Sequence, residues 1–405
     1  TVLFLCLLIT SLFIYLSNKV NWLSVLLIIL WIAMSPNLIR VGVSGYGEIP
    51  IGFLMIVAIL LYQRANEIRS GLLYFTVGVI MGLGYLTKTI FIIVAPTFAA
   101  WMLIDIIKSK GKAVKYHFVM LLGVLFPVCL FEFYKFWSLG MSDYKEWWSV
   151  ELDAILGQAG ITDRFMDADE TGLLEKMKSH YFKYAQSFNI SANFLVFLYA
   201  VPGIFYLYVF FKEKRYYQTE LMIYMISLSY FGWWCVLSPS SKLFIRRILV
   251  GHIFIILLIG IIFSRGILYI ARYHNKWKVS AICVLIILYI PMILSNIRLL
   301  RDDIKYYWEI ADSTKSLVRE VKKLPDDATL YGCGWLQAPV IGTMADRIIY
   351  DIEKNDIHKE AYFVYDIYVY WLSPNYLQYI FDSEDDYSLI YESGNQKLYQ
   401  LHAIK

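Results

Sequence analysis

The sequence predicts a polytopic α-helical membrane protein of about ten transmembrane helices with a small C-terminal α/β domain on the outer face, and three observations carry that prediction. Apolar runs recur from Thr1 to about residue 297, charges crowd into short clusters between them, and a polar tail of about a hundred residues closes the chain. Of the 405 residues, 59% are hydrophobic and 17% charged, with a mean hydropathy of +0.55. A soluble domain of this length spreads its charge more evenly. The formal net charge of +4 is too small to point to a polyanionic partner, and nucleic acid is set aside. Cys6, Cys129, Cys235 and Cys283 lie in apolar runs and Cys333 stands alone in the tail. Without a CxxC pair or a disulfide framework, cysteine usage says nothing about redox compartment.

Stretches able to cross a hydrocarbon layer of roughly 30 Å lie near 1–17, 21–35, 49–63, 71–86, 89–106, 117–137, 192–211, 219–237, 246–264 and 279–297. Basic residues are retained on the cytoplasmic side, and here they fall in alternate loops. Lys19 lies in the first loop, Arg64 and Arg69 in the third, and Lys108, Lys110, Lys112 and Lys115 in the fifth. Lys212, Lys214 and Arg215 follow in the seventh, and Arg265, Arg272, Lys276 and Lys278 in the ninth. These loops are assigned inside, which leaves 36–48, 87–88, 138–191, 238–245 and the tail outside. Merging 71–106 into one span would put the Arg64 and Lys108 clusters on opposite faces, so the parity favours a break between 86 and 89. The chain opens at Thr1 within a hydrophobic run and no charged leader precedes it, which leads us to expect a further segment upstream.

The map divides the chain into a membrane region, 1–297, and an extracytoplasmic α/β domain, 298–405. Within the first, the large outer loop 138–191 carries MSDYKEWWSVELDAILGQAG and ETGLLEKMKSHYFKYAQSFN. Their apolar and aromatic residues recur at helical spacing among charges, the pattern of helices lying along the interface. In the tail, LPDDATLYGCG, DRIIYD, AYFVYD, DYSLIYE and QKLYQLHAI read as short strands, the last two joined by a Ser-Gly-Asn turn. Helices are expected near 311–323, 335–344 and 370–381, which together give a small α/β domain.

A charged group at membrane depth costs about 2.5–3.5 kcal/mol on insertion scales and needs a partner or a purpose. Glu48, in VSGYGEIP, precedes a span among glycines that let the backbone bend sharply. It suits a metal or a sugar hydroxyl, and equally a solvated carboxylate capping the helix that starts at Ile49–Pro50. Lys88, in GLGYLTKTIF, requires an anion or snorkels to lipid headgroups. Lys242, Arg246 and Arg247, in SPSSKLFIRRILVGH, form a basic cluster at an outer helix mouth, against the positive-inside trend. Guanidinium groups suit bidentate phosphate contact; the alternatives are lipid phosphates or acidic residues of the 138–191 loop. Glu132 and Lys135, three apart in FEFYKF, lie on one helix face and read as a structural ion pair. The six histidines, His252 among them, have no partner at metal-ligand spacing. No Walker loop, dinucleotide fingerprint or Gly-x-Ser-x-Gly elbow is present, so nucleotide-driven transport has no support. Outer-face cations around one cleft, beside a long amphipathic loop, suit a site that handles a lipid phosphate and a second substrate.

The run SPNLIRVGVSGYGEIPIGFLMIVAILLYQRA, the segment GVIMGLGYLTKTIFIIVAPTFAAWML and the later SKLFIRRILVGHIF resemble the polytopic GT-C glycosyltransferases. The likeness is to the dolichyl-phosphate-mannose protein mannosyltransferase and aminoarabinose transferase type, and it covers nearly the whole chain. It implies inverting transfer of a sugar from a polyprenyl-phosphate donor to a glycan, lipid or protein acceptor on the outer face. It places Lys88 at the Lys of an "LTK" segment and Arg246 or Arg247 at an Arg that contacts donor phosphate, with Lys242 beside them. Glu48 takes an acidic position that binds substrate or a divalent metal in some relatives. In such enzymes an Asp in a first outer loop serves as base on the acceptor hydroxyl, and that loop precedes the segment that begins here. The resemblance therefore leads us to expect the base upstream of Thr1 and this chain alone to be inactive. The rival class is a multispan secondary transporter or lipid flippase. Against it stand the clustering of charges on one side rather than at the midplane and the lack of paired interrupted helices.

Overall fold

The computed structural model describes residues 2–43, 47–158, 173–213, 218–238, 244–273, 278–332, 337–351, 361–365, 386–394 and 396–402. The chain divides into two units, Thr1–Arg298 and Leu299–Lys405.

The first unit is helical throughout its described length. Its elements are α1 (Val2–Ser17), α2 (Trp22–Ala33), α3 (Pro36–Val43), α4 (Glu48–Ile68), α5 (Gly71–Thr87), α6 (Ala95–Lys108) and α7 (Val114–Gln158). They continue with α8 (Leu173–Ser187), α9 (Ala192–Glu213), α10 (Gln218–Gly232), α11 (Leu249–Tyr273) and the start of α12 (Lys278–Lys323). Local chemistry sets the boundaries. The Asn21 side chain accepts from the Ser24 N–H at 2.8 Å and caps α2, Ser70 caps α5 in the same manner, and Arg69 ends α4 in the left-handed region at φ 51°.

A helix stands at each of the ten expected spans, but length and composition do not support ten crossings. Among the described residues six helices are long and apolar enough: Glu48–Ile68, Thr89–Lys108, Val114–Asp153, Ala192–Val209, Thr219–Leu237 and Leu249–Ile267. A seventh is added if Trp22–Ala33 and Pro36–Gly42, bent by 65° at their junction, act as one broken span. Val2–Ser17 and Gly71–Thr87 are apolar but shorter. The apolar helices make this an integral membrane protein.

The core centres on α11, whose residues Leu249–Leu258 are buried at every apolar position and which packs against α2, α4, α9 and α10. A helix apolar on all sides belongs inside a bundle. By contrast, α7 exposes Phe118, Leu121, Leu122, Leu125, Phe126, Leu130 and Phe133, a surface suited to acyl chains. Its inner side meets α5 through glycines. A Cβ on Gly78 would stand 2.0 Å from the Met120 carbonyl oxygen, and one on Gly123 would stand 2.3 Å from that of Phe75. Backbones approach this closely only where side chains are absent, a packing mode common between membrane helices.

The outer-loop helices expected within 138–191 are present as the second half of α7 and as α8, with 159–172 outside the described residues. A kink at Gly140, φ 76° and ψ 171°, divides α7, and only glycine adopts that conformation without strain. The expected Glu132–Lys135 pair forms at 2.7 Å within the first half, and its contacts with aromatics of the second half tie the two together. Glu132 also accepts from the Tyr144 hydroxyl and the Trp148 indole N–H, both at 3.0 Å, while the Lys135 ammonium lies 3.3 Å from the Trp147 ring centroid. Two charges that would be expensive in hydrocarbon are thereby satisfied by each other and by aromatics from beyond the kink.

The second unit holds a five-stranded sheet in the order β2-β1-β3-β5-β4, with β1 (Leu330–Gly332), β2 (Ile349–Asp351), β3 (Tyr362–Tyr365), β4 (Tyr387–Ser393) and β5 (Gln396–Leu401). β1 runs parallel to β2 and β3, and β5 runs antiparallel to β3 and β4. All five expected strands are present, and Gly394, φ 60°, turns the expected β4–β5 hairpin. The end of α12 and α13 (Gln337–Ala345) occupy two of the expected helical stretches. The third, 370–381, lies outside the described residues, as does Cys333. Leu317, Val318 and Val321 of α12 form the core with Ile341, Val364 and Leu398.

Gly78→Ala forces a methyl into backbone and is expected to destabilise the membrane unit by about 1–3 kcal/mol. Gly71→Ala, where nothing lies within 4 Å of the added carbon, is the matched control. Thermal unfolding of both purified variants checks this, and equal midpoints would refute the glycine contact. Lys135→Met leaves Glu132 without its cation and is expected to increase protease cleavage around Gly140, read by limited proteolysis against wild type.

Candidate functional site

Three breaks in helical structure bring the site together. The first is the start of α4. Gly47 occupies the N-cap with no side-chain cap bond, and Glu48 sits in the first turn, where the helix dipole favours a carboxylate. The second is the end of α5. There Lys88 adopts an extended conformation, φ −166° and ψ 131°, its N–H bonded to the Gly84 carbonyl. A short 3₁₀ stretch, Thr89–Val94, leads on into α6. A Cβ on Gly47 would lie 3.3 Å from the Thr87 carbonyl oxygen and 3.5 Å from the Lys88 side chain, so the two breaks touch. The third follows α10, whose last turn widens into a π-helical segment, Trp233–Leu237. Beyond it Ile245–Arg247 form one 3₁₀ turn before α11 begins at Leu249.

At this junction Glu48 forms an ion pair with Lys88, and its Oε1 lies 3.7 Å from Arg246 Nε. The Glu48 side chain is 2% exposed, against 28% for Lys88 and 25% for Arg246. Arg247 is buried as well; it is attracted to Glu48 and repelled by Arg246, and both arginines repel the Lys88 ammonium. The two guanidinium groups lie 4.7 and 5.2 Å from the Phe244 ring centroid, within cation–π range of it.

Of the residues singled out in the sequence, Glu48, Lys88, Arg246 and Arg247 meet here, although they come from positions forty to two hundred residues apart. Lys242 lies outside the described residues. Two simpler readings are corrected. Glu48 is not a solvated cap, because it is buried and turned to Lys88. Lys88 does not merely reach for headgroups, because it finds Glu48. His252 shares a hydrogen bond of 2.9 Å between its Nδ1 and the Tyr184 hydroxyl and stacks on Phe188, a packing role.

The site gains one member that sequence reasoning missed. Tyr230 of α10 is buried, its hydroxyl feels the Glu48 charge, and it makes no hydrogen bond. Nothing in SLSYFGWW distinguishes it from a core tyrosine. Glu48 Oε2 and Arg247 Nη1 are likewise buried without hydrogen-bond partners. Buried polar groups are normally paired, and several unpaired ones in one place mark where something else binds.

The charge count states what would satisfy them. Lys88, Arg246 and Arg247 supply three positive charges and Glu48 one negative, leaving a net of about +2 at a largely buried position. Two arginines directly before α11 also oppose its dipole, which favours anions at a helix N-terminus. An anion with several acceptor oxygens answers both. A divalent metal does not fit these residues. It needs several oxygen ligands, the charged neighbours of Glu48 are cations, and among the described residues no group of three His, Cys, Asp or Glu stands together.

No family model matches the sequence, and no curated protein matches it. Among solved structures, the crystal structure of ArnT from Cupriavidus metallidurans bound to undecaprenyl phosphate is similar over 98% of this chain and 82% of that one. The TM-score is 0.47 and the identity 10%. A likeness of that size carries no argument about chemistry, which rests on the residues above.

Proposed function

We propose that the protein is a membrane glycosyltransferase whose Lys88–Arg246–Arg247 cluster holds the phosphate of a polyprenyl-phosphate-linked sugar on the outer face. The observation that supports it is the uncompensated positive charge around Glu48, together with the unpaired Arg247 Nη1 and Tyr230 hydroxyl. The sequence resemblance to GT-C enzymes at the same residues points the same way.

The charge balance of the reaction suits the site. In the donor the phosphate is a diester with one negative charge. When the bond between the anomeric carbon and the phosphate oxygen breaks, the electron pair stays on that oxygen and the leaving group becomes a monoester approaching two negative charges. The acceptor oxygen forms the new bond to the anomeric carbon and gives up its proton to a base. A cluster of about +2 complements the departing phosphate better than the intact donor, so its binding energy is greatest as the bond breaks. Lys88 supplies a point charge and the arginines directional N–H groups. Tyr230 donates its O–H to a phosphate oxygen. Glu48 keeps Lys88 and Arg246 converged in the absence of ligand, so that the cations need not be gathered when the donor arrives. Committed to those cations, Glu48 is poorly placed to take the acceptor proton, and the base is a different group. Transport has no comparable support, since the charges gathered around Glu48 sit at helix ends and the pair within α7, Glu132–Lys135, is satisfied by itself and its aromatic neighbours.

The test is release of polyprenyl phosphate from a panel of polyprenyl-phosphate sugars by the purified full-length protein, including whatever precedes Thr1, in liposomes with and without acceptor. Arg247→Ala and Lys88→Ala are each expected to lower kcat/KM by about 2–5 kcal/mol, as for truncating one partner of a buried charge pair. Acceptor-dependent release at wild-type rates in both variants would refute the phosphate assignment. Tyr230→Phe removes only the hydroxyl and is expected to lower kcat/KM roughly five-fold, the weight of one hydrogen bond, with folding unchanged.

A further inference from the structure

A polar cavity of about 520 Å³ lies between α4, α6 and α10, at the end of α4 away from Glu48. Tyr62 and Arg69, which line it, are 14 and 21 residues along α4 from Glu48, roughly 20–30 Å at the helical rise. The acidic groups in its wall are already engaged. Asp105 accepts from Arg69 Nη1 and Nη2 at 2.9 and 3.1 Å and from the His117 Nε2–H at 2.9 Å. Glu67 pairs with Arg64 at 2.9 Å. The Asn66 carbonyl oxygen accepts from the Tyr74 hydroxyl, which leaves the Asn66 amide nitrogen to donate. Tyr62 is 2% exposed and its hydroxyl, beside Asn66, makes no hydrogen bond. With its acceptors engaged, the cavity keeps donors at Tyr62 and Asn66, and Lys108 is part of its lining.

The surroundings are basic as well as donor-rich. Arg64, Arg69, Lys108, Lys110, Lys112 and Lys115 outnumber Glu67 and Asp105 around this end of the bundle. Basic pockets between transmembrane helices on the positive-inside face suit anionic lipid headgroups. Ile68, Leu103 and Ile107, all exposed, flank the polar lining in sequence and offer acyl chains a surface.

We propose that this cavity binds the phosphate of an anionic headgroup, with Tyr62, Asn66 and Lys108 donating to its oxygens. The site goes beyond the reaction proposed at Glu48 and does not depend on it. The phosphate comes either from a lipid of the inner leaflet or from a soluble phosphate, and the experiment separates the two. Purified protein is equilibrated with phosphatidylglycerol or chain-matched phosphatidylcholine and read by native mass spectrometry; in parallel, inorganic phosphate is titrated and thermal protection recorded. We expect about ten-fold preference for phosphatidylglycerol, reduced about five-fold in Tyr62→Phe and in Lys108→Gln. Lys108 is exposed, so its replacement covers the case in which Tyr62→Phe misfolds. Protection by inorganic phosphate that the variants lose, without lipid preference, supports the phosphate site with a soluble source. Equal retention of both lipids with no response to phosphate overturns the proposal, as does a wild-type response in both variants.

Discussion

A carboxylate buried among cations organises the end of the membrane unit at which α4 begins and α5 stops. Glu48 cannot be removed from water unpaired, and its partners belong to chain segments that helical continuity alone would not bring together. Lys88 reaches it because α5 stops at an extended residue, and Arg246 because α10 opens into a π turn. The helix interruptions and the ion pairing depend on each other. Each break leaves backbone and side chain free to turn inward, and each charge that turns inward needs the others. The result is over-supplied with positive charge, so the cluster is stable as a scaffold and unsatisfied as an electrostatic environment.

The opposite ends of the same helices solve a similar problem differently. Glu220, fully buried at the start of α10, lies 3.1 Å from Lys19 and 3.5 Å from Arg265. These loops are the ones the distribution of Lys and Arg places inside, where a surplus of cations is the normal state of a membrane protein. At the Glu48 end the same surplus is an exception and acquires its meaning from that.

How far the sequence could be read follows from the range of the signals. Alternation over a few residues identified all five strands of the second unit, including the hairpin turned by Gly394. Apolar runs located the long helices of the first unit but passed over α3, whose short PNLIRVGV fell in the connection 36–48, and hydropathy did not register how short an apolar helix such as Gly71–Thr87 is. The break at Lys88 has no proline beside it, and only the parity of the basic loops exposed it. The site residues were legible as charges in the wrong place; their convergence was not, since forty residues separate Glu48 from Lys88 and no local spacing reports a contact of that range. Tyr230 was invisible for the opposite reason. A hydroxyl in an apolar run looks like core until its missing partner is seen in three dimensions. The Arg69–Asp105–His117 network beside the cavity between α4, α6 and α10 was hidden in the same way.

The glycine contact between α5 and α7 has a mechanical consequence. Where two backbones meet without intervening side chains there is no rotamer to change, so α5 cannot tilt or slide without breaking the contact, and Lys88 at its end is held on a stiff post. Arg246 and Arg247 stand on the other side of the gap, on a single 3₁₀ turn beyond a π-helical segment, geometries with weaker and more easily exchanged hydrogen bonds than an α-helix. The cluster is thus a vice with one fixed jaw. Compliance toward ligands of different bulk belongs to the arginine side, and changes in selectivity should be sought in the residues that set the stiffness of that turn.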